Sequence, residues 1–381
     1  MKYCKKCLTT TLRPNAEFTN DGVCIPCKYS LIGNQTNHVL KLRALKERIK
    51  QATSKVRKKG DYDCIVGVSG GKDSTRQAHW VRDRLGLKPL LVCAAYPPLQ
   101  MSELGAENLS NLISMGFDLM VVTPAPKTSA KLSLEAFKKF GNLCKSTELS
   151  LFSTVPRIAI DLGINLIFWG ENPALQVGDS ATEGVDEFDG NNLRKSNTLT
   201  EGGNDWLFDA IQKEYLVNHY IYPDEIEFNK KKISIFYLGP AWDDWDNEEN
   251  GAYAALAGLS LRPGEEHITG DISNASMLDE EFTNINMMIK YYKFGFGRAT
   301  DIVCEKIRNG MITRVKGIEL VEMYDGVCSD EIIQKYCKYV GLPVEEFWND
   351  INNKWTNTSL FSISDNERPK RRFKIGVDFN D

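Results

Sequence analysis

Two groups of residues in this chain have types and spacings that could do chemistry. The first is "VGVSGGKDST", residues 66–75, which follows an apolar run. Glycines where a strand turns into a helix let backbone N–H groups approach an anion, and the helix N-terminus adds a favourable dipole. The stretch is not the G-x4-G-K-[ST] loop, because Val66 stands five residues before Gly71 and Lys72 is followed by Asp73. The dinucleotide fingerprint G-x-G-x-x-G is also absent. A glycine turn serving only tight packing does not call for Ser69, Lys72, Asp73 and Ser74 around Gly70 and Gly71.

The second group is "CKKC" and "CIPC", which place Cys4, Cys7, Cys24 and Cys27 in two C-x2-C pairs sixteen residues apart. A tight turn in each pair can aim both sulfurs at one ion, and two such knuckles complete a tetrahedral zinc site. Four thiolates leave no open position, so the zinc expected here is structural. It would fold a module too small to bury a core of its own. The other six cysteines are scattered, and Cys64 and Cys93 fall in strand-like runs as small buried hydrophobes.

The elements that must position these groups follow from periodicity. From residue 61, apolar runs at 63–68, 89–95, 117–124, 164–174 and 233–239 alternate with helical stretches. This order predicts an α/β fold with a doubly wound parallel sheet, whose ligands lie at the C-terminal ends of the strands. Five units are expected. They are a Cys4 module (1–35), a basic helix (36–60), a doubly wound α/β domain (61–270), a helical region (271–355) and an extended basic tail (356–381). The α/β domain carries a polar, Gly/Asn-rich insertion at 178–204, long enough to be read as a lid. In the basic helix, nine of the residues from 41 to 59 are Lys or Arg. That face is either solvated or a surface for RNA or an acidic partner, and solvation is the ordinary outcome for a charge run.

Bulk numbers bound the class. The chain has 381 residues, 42% hydrophobic and 26% charged, with a formal net charge of −4. It has no run of eighteen apolar residues and no secretion signal at "MKYCKKCLTT", so a cytoplasmic protein is expected, without a membrane span. The acidic balance does not favour a nucleic-acid partner.

The loop "SGGKDS" resembles the PP-loop of the ATP pyrophosphatases, which cleave ATP between the α- and β-phosphates. The resemblance implies that Ser69, Gly70, Gly71 and Ser74 hold pyrophosphate. It implies further that Lys72 neutralises developing charge, that Asp73 holds Mg²⁺, and that adenine lies near Ala94 and Ala95. Four separated motifs, the cysteine pairs, "GVSGGKDS", "FWGENPALQVGD" and "KFGFGRATD…IRNGMITRVKGIELVEMYDG", are together similar to the bacterial N-acetyl sugar amidotransferases. The similarity runs from Cys4 to about residue 350. That family converts an acetamido group to an acetamidino group on nucleotide-linked diacetamido uronic acids or on nonulosonic acids of the pseudaminic and legionaminic kind. It serves pathways of surface polysaccharide, such as lipopolysaccharide O-antigen, or of flagellin glycan.

On this reading Glu171 and Asn172, just past the fourth strand, either orient the amide and ammonia or cap a turn. Lys293, Arg298, Asp301, Arg308 and Arg314 either meet the substrate carboxylate or form ordinary ion pairs. No cysteine has the setting of a glutaminase nucleophile, and the resemblance implies a separate glutaminase subunit, with a cyclase-like companion, supplying ammonia. The basic helix or the cysteine module would be its docking surface. The alternative is a PP-loop tRNA thiolase. Cys144 is the one cysteine placed to serve it, and is read here as a structural thiol.

Overall fold

The computed structural model describes residues 1–33, 38–53, 60–169, 190–191, 205–211, 218–241, 247–364 and 367–379. After the cysteine module come helices α1 (Ile25–Gly33) and α2 (His38–Ala52). The sheet domain then runs β1 (Cys64–Gly67), α3 (Lys72–His79), β2 (Pro89–Ala94), α4 (Glu103–Ser114), β3 (Asp118–Val122), α5 (Pro126–Phe140), α6 (Lys145–Leu162), β4 (Leu166–Trp169), α7 (Glu225–Lys231) and β5 (Ser234–Tyr237). Next come α8 (Asn247–Leu256) and a single helical turn at Glu266–Thr269, and then five longer helices: α9 (Phe282–Phe294), α10 (Arg298–Arg308), α11 (Arg314–Tyr324), α12 (Asp330–Val340) and α13 (Val344–Asp350). Two short strands, β6 (Phe361–Ser362) and β7 (Lys370–Arg371), close the chain.

All five expected strands form, and all pair in parallel in the order β3-β2-β1-β4-β5. Alternation along each strand builds the two layers of core. Cys64, Val66, Leu91, Cys93, Leu166, Phe168 and Phe236 face one side, where Leu45 and Ile49 of α2 join them. Ile65, Leu90, Val92, Ile167, Trp169, Ile235 and Tyr237 face the other, against Val155, Ala159 and Ile160 of α6. The basic helix is thus no free linker. Its apolar stripe is packed on the sheet domain, while Arg43, Lys46 and Lys50 stay exposed. Strand order reverses at β1, so a crevice opens between the C-terminal ends of β1 and its neighbours. That is where ligands bind in such sheets.

The tail corrects an expectation. Residues 356–379 are not an extended basic arm: β6 and β7 pair antiparallel, and Leu360, Phe361, Phe373 and Ile375 are buried. Apolar residues spaced between the basic ones outweigh the charge, because each buries its ring or chain while the lysines and arginines reach outward. The Met1 amine donates to the Phe379 carbonyl at 2.6 Å, and the Phe379 N–H donates back to Met1 at 2.8 Å. The cysteine module, the five C-terminal helices and this closing segment share one core. Of the insertion, Gly190 and Asn191 lie within the described residues and hydrogen-bond to Ile235 of β5. The proposed lid otherwise falls outside them. No described helix is long and apolar enough to cross a membrane.

Candidate functional site

The loop leaves β1 at Gly67 and turns into α3 at Lys72. Gly70 sits at φ +83°, in the left-handed region, and its Cα faces Leu109 of α4, so a side chain there would be strained. The two serines brace the turn. The Gly71 N–H donates to Ser69 Oγ at 3.3 Å, the Ser69 N–H to Ser74 Oγ at 3.4 Å, and Ser74 Oγ to the Gly71 carbonyl at 3.1 Å. Gly71 caps α3 with no side-chain acceptor, which leaves the first-turn N–H groups for an anion.

Lys72 is buried, and its Nζ meets Asp73 Oδ2 at 2.6 Å. The other carboxylate oxygen, Oδ1, accepts from Asn250 Nδ2 at 2.5 Å, and Asn250 Oδ1 accepts in turn from Arg76 at 2.6 Å. Asn250, on α8, is wholly buried. An anionic carboxylate a third exposed, with an ammonium beside it and a row of N–H groups at hand, can hold a hard cation and a polyphosphate together.

Ala94 and Ala95 line a cleft at the C-terminal end of β2, with Tyr96, Gln100, Ser129 and Ser150. The C-terminal region reaches under this cleft. Tyr96 donates to Asp279 at 3.1 Å and Gln100 Nε2 to Glu280 at 3.2 Å, while Ser102 N–H donates to the Asp279 carbonyl at 3.2 Å. Gly105 is required there: a Cβ would stand 2.5 Å from the Asp279 carbonyl oxygen.

Glu280 also accepts from the Phe282 N–H at 2.7 Å, the Thr283 N–H at 2.5 Å and the Thr283 hydroxyl. Burial pushes its pKa up to about 7, the donors offsetting only part of that cost. A carboxyl raised in the fold stabilises fully below its unfolded pKa, and that contribution fades as pH rises through the folded value. The whole effect is about 3 kcal/mol. Glu280→Gln will flatten this dependence: urea unfolding at pH 5 and pH 8 should show the parent losing more stability than the variant. Equal losses would contradict the reading.

The four N-terminal cysteines are buried and their sulfurs all lie within 4.8 Å of one another, with Cys7 and Cys24 Sγ 3.6 Å apart. Backbone N–H groups aim at them, Lys6 and Cys24 at Cys4 Sγ (3.4 and 3.2 Å) and Thr9 at Cys7 Sγ (3.4 Å). Such donors stabilise thiolates, so the residues present fit a closed four-sulfur metal site.

A family model described as "LPS biosynthesis protein WbpG-like, C-terminal domain" matches residues 277–374. The match begins just before Asp279 and runs past β7. A search of curated proteins finds no match to the chain. Among solved structures, the U34-tRNA thiolase NcsA from Methanococcus maripaludis, with its [4Fe-4S] cluster, is 14% identical over 61% of this chain and 80% of that one, at a TM-score of 0.26. A likeness this slight carries no functional argument.

The structure brings Ser69, Gly70, Gly71, Lys72, Asp73 and Ser74 together at the end of β1, and sets Ala94 and Ala95 at the neighbouring strand end. Glu171 and Asn172 lie outside the described residues. Of the other five expected site residues, four have contacts elsewhere. Asp301 receives Arg13 of the cysteine module and, at 2.5 Å, Lys290. Arg314 donates to the carbonyls of Cys7 (3.3 Å) and Gly376 (3.0 Å), and Arg308 lies within electrostatic reach of Cys304 and Cys7. Lys293 donates to the Phe140 carbonyl at 2.8 Å. Arg298 opens α10, its buried Nε without a hydrogen-bond partner among the described residues. Their contacts hold the C-terminal helices to the cysteine module and to α5. Cys144 is buried beside Glu280, and burial raises its pKa well above the usual thiol range, as an inert structural thiol requires.

Sequence reasoning missed Arg76, Asn250, Tyr96, Gln100, Asp279 and Glu280. Arg76 had a signal, since it lies one helical turn after Asp73. The acidic pair "DEEF" was visible but sits 180 residues from Gln100 in the chain, and nothing local says where it folds.

Proposed function

We propose that this chain is an ATP-dependent, AMP-forming amidotransferase acting on an acetamido sugar acid in surface-glycan biosynthesis. The observation that supports the adenylation step is the loop at the sheet's switch point, with Lys72 and Asp73 paired in the first turn of α3, whose N-cap has no side-chain acceptor. The match of residues 277–374 to a lipopolysaccharide-biosynthesis domain supports the glycan setting.

An amide carbonyl is a poor electrophile with a very poor leaving group. The amide oxygen attacks the α-phosphorus and pyrophosphate departs, giving an O-adenylyl imidate. Ammonia adds to the imidate carbon and AMP leaves, so the oxygen of the amide ends on AMP and an NH group replaces it. The loop amides and Ser74 hold the departing pyrophosphate, Lys72 offsets its charge, and the cleft at Ala94 and Ala95 takes the adenosine. Asp73 would hold Mg²⁺, which when bound neutralises the phosphates. Cys4, Cys7, Cys24 and Cys27 would hold zinc in a purely structural role. Ammonia comes from a separate glutaminase subunit. A nucleotide-linked diacetamido uronic acid and a free nonulosonic acid are the two substrate kinds to test.

The assay is direct. The protein is incubated with ATP, Mg²⁺, ammonium and each sugar acid in turn, and AMP and the product mass are measured. AMP release that depends on the sugar, with oxygen replaced by NH in the product, is the expected result. AMP release that depends on tRNA instead, or none with any acceptor, would overturn the proposal.

A further inference from the structure

We infer that Asn250 is a positioning residue for Asp73: its amide fixes one carboxylate oxygen so that the other can exchange Lys72 for a divalent cation. The inference rests on the functional reading above, and names a residue that the loop motif does not contain.

Both oxygens of Asp73 are engaged, but by unlike partners. Oδ2 holds the Lys72 ammonium, at the end of a flexible stem, at 2.6 Å. Oδ1 holds the Asn250 amide at 2.5 Å. The orientation of that amide follows from its other contact. Arg76 can only donate, so the Asn250 oxygen must face Arg76 at 2.6 Å and its NH2 must face Asp73. The guanidinium also pulls charge from the amide oxygen, which makes the NH2 a stronger donor.

The helix carrying Asn250 is itself anchored. Tyr253, one turn on, lies under Arg76 with the guanidinium 5.4 Å from its ring centre, and its hydroxyl meets His79 Nδ1 at 3.0 Å. Gly251 lies against the Lys72 stem, where a Cβ would be 3.8 Å from Lys72 Cδ. The carboxylate therefore has one fixed and one exchangeable contact. A cation bound at Oδ2 would take the place of the Lys72 ammonium, which would then lie next to the loop that would hold the phosphates. Without Asn250 the carboxylate is free to rotate, and the cation must bear the cost of ordering it.

The test uses the full chain with Mn²⁺ as probe and α,β-methylene ATP as an uncleavable nucleotide, read by electron paramagnetic resonance. Asn250→Leu removes the donor but also takes a hydrogen-bond acceptor from Arg76. The double variant Arg76→Met/Asn250→Leu replaces both partners with apolar groups of similar shape, which protects the fold. Mn²⁺ binding should weaken about ten- to a hundredfold in the double variant, as when a partner behind a metal ligand is lost. Nucleotide affinity in the absence of metal should stay as in the parent, which a merely structural role would not predict. Parental Mn²⁺ affinity in the double variant would overturn the inference alone. A parent protein that shows no nucleotide-dependent Mn²⁺ binding would overturn the functional reading and this inference with it.

Discussion

Replacing Cys4 and Cys24 by serine will unfold far more than the first thirty residues. The pair supplies half of a four-sulfur site whose ligands are all buried. Closed metal sites of this kind contribute on the order of 10–16 kcal/mol to the folded state of small modules. A whole domain is usually stable by only about 5–15 kcal/mol. The module does not stand apart from the rest of the chain either. Cys4, Cys7, Leu8, Cys24 and Cys27 share a core with Tyr291, Val303, Tyr336 and Phe361. Thr9 donates to Cys304 Sγ at 3.6 Å, Arg314 reaches the Cys7 carbonyl, and Arg13 pairs with Asp301. Loss of the site removes one wall of the C-terminal core and leaves Asp301 with Lys290 alone of its two cationic partners. Burial already lowers the Lys290 pKa well below the usual range, so its remaining contacts matter more. Metal analysis should find about one zinc ion per parent chain and none in the variant. Thermal unfolding and limited proteolysis should show residues 277–374 opened together with the module. A metal-free variant that melts and resists protease like the parent would refute the coupling.

The parts of this molecule legible in its sequence are those fixed by local rules. Apolar runs alternating with helical stretches predicted all five parallel strands, because each strand is carried by its own short run of apolar residues. The loop was legible because its glycines and charged residues are consecutive, and the cysteine site because C-x2-C is a local turn. What was not legible depends on contacts across long stretches of chain. Asn250 reaches Asp73 from 177 residues away, and Asp301 meets Arg13 from 288. The second case shows why sequence alone left two readings of the basic set. Arginines and lysines in a helical region look the same whether they await a ligand's carboxylate or hold another part of the chain. Only the fold shows that Arg13 and Lys290 already share Asp301, and that Arg314 is spent on two backbone carbonyls. The tail misled for a similar reason. Its charge is local and visible, whereas the cavity that receives Phe361 and Phe373 is built from helices elsewhere.

Asp73→Asn should cut AMP formation by at least a hundred- to a thousandfold while leaving the fold intact. The substitution keeps shape and keeps an oxygen acceptor for Asn250, so α8 remains seated on α3. What it removes is the negative charge, and with it the hold on the divalent cation proposed for Oδ2. It also removes the counter-charge of Lys72, which is 4% exposed and has its Nζ 2.6 Å from that oxygen. The ammonium then faces the phosphates without competition, so nucleotide alone should bind at least as tightly as in the parent. Turnover needs charge placed on the departing pyrophosphate as the α–β bond breaks, and one misplaced electrostatic group in such a step costs about 10²–10³ in rate. The split is the diagnostic result: nucleotide affinity kept or improved, kcat collapsed, and no rescue by raised Mg²⁺. Lys72→Met should give the converse, with Asp73 still able to take the cation but with weaker nucleotide binding. If Asp73→Asn instead turned over at the parental rate, the carboxylate would be no more than a helix-start residue partnered with Lys72, and the adenylation chemistry would have to lie elsewhere in the chain.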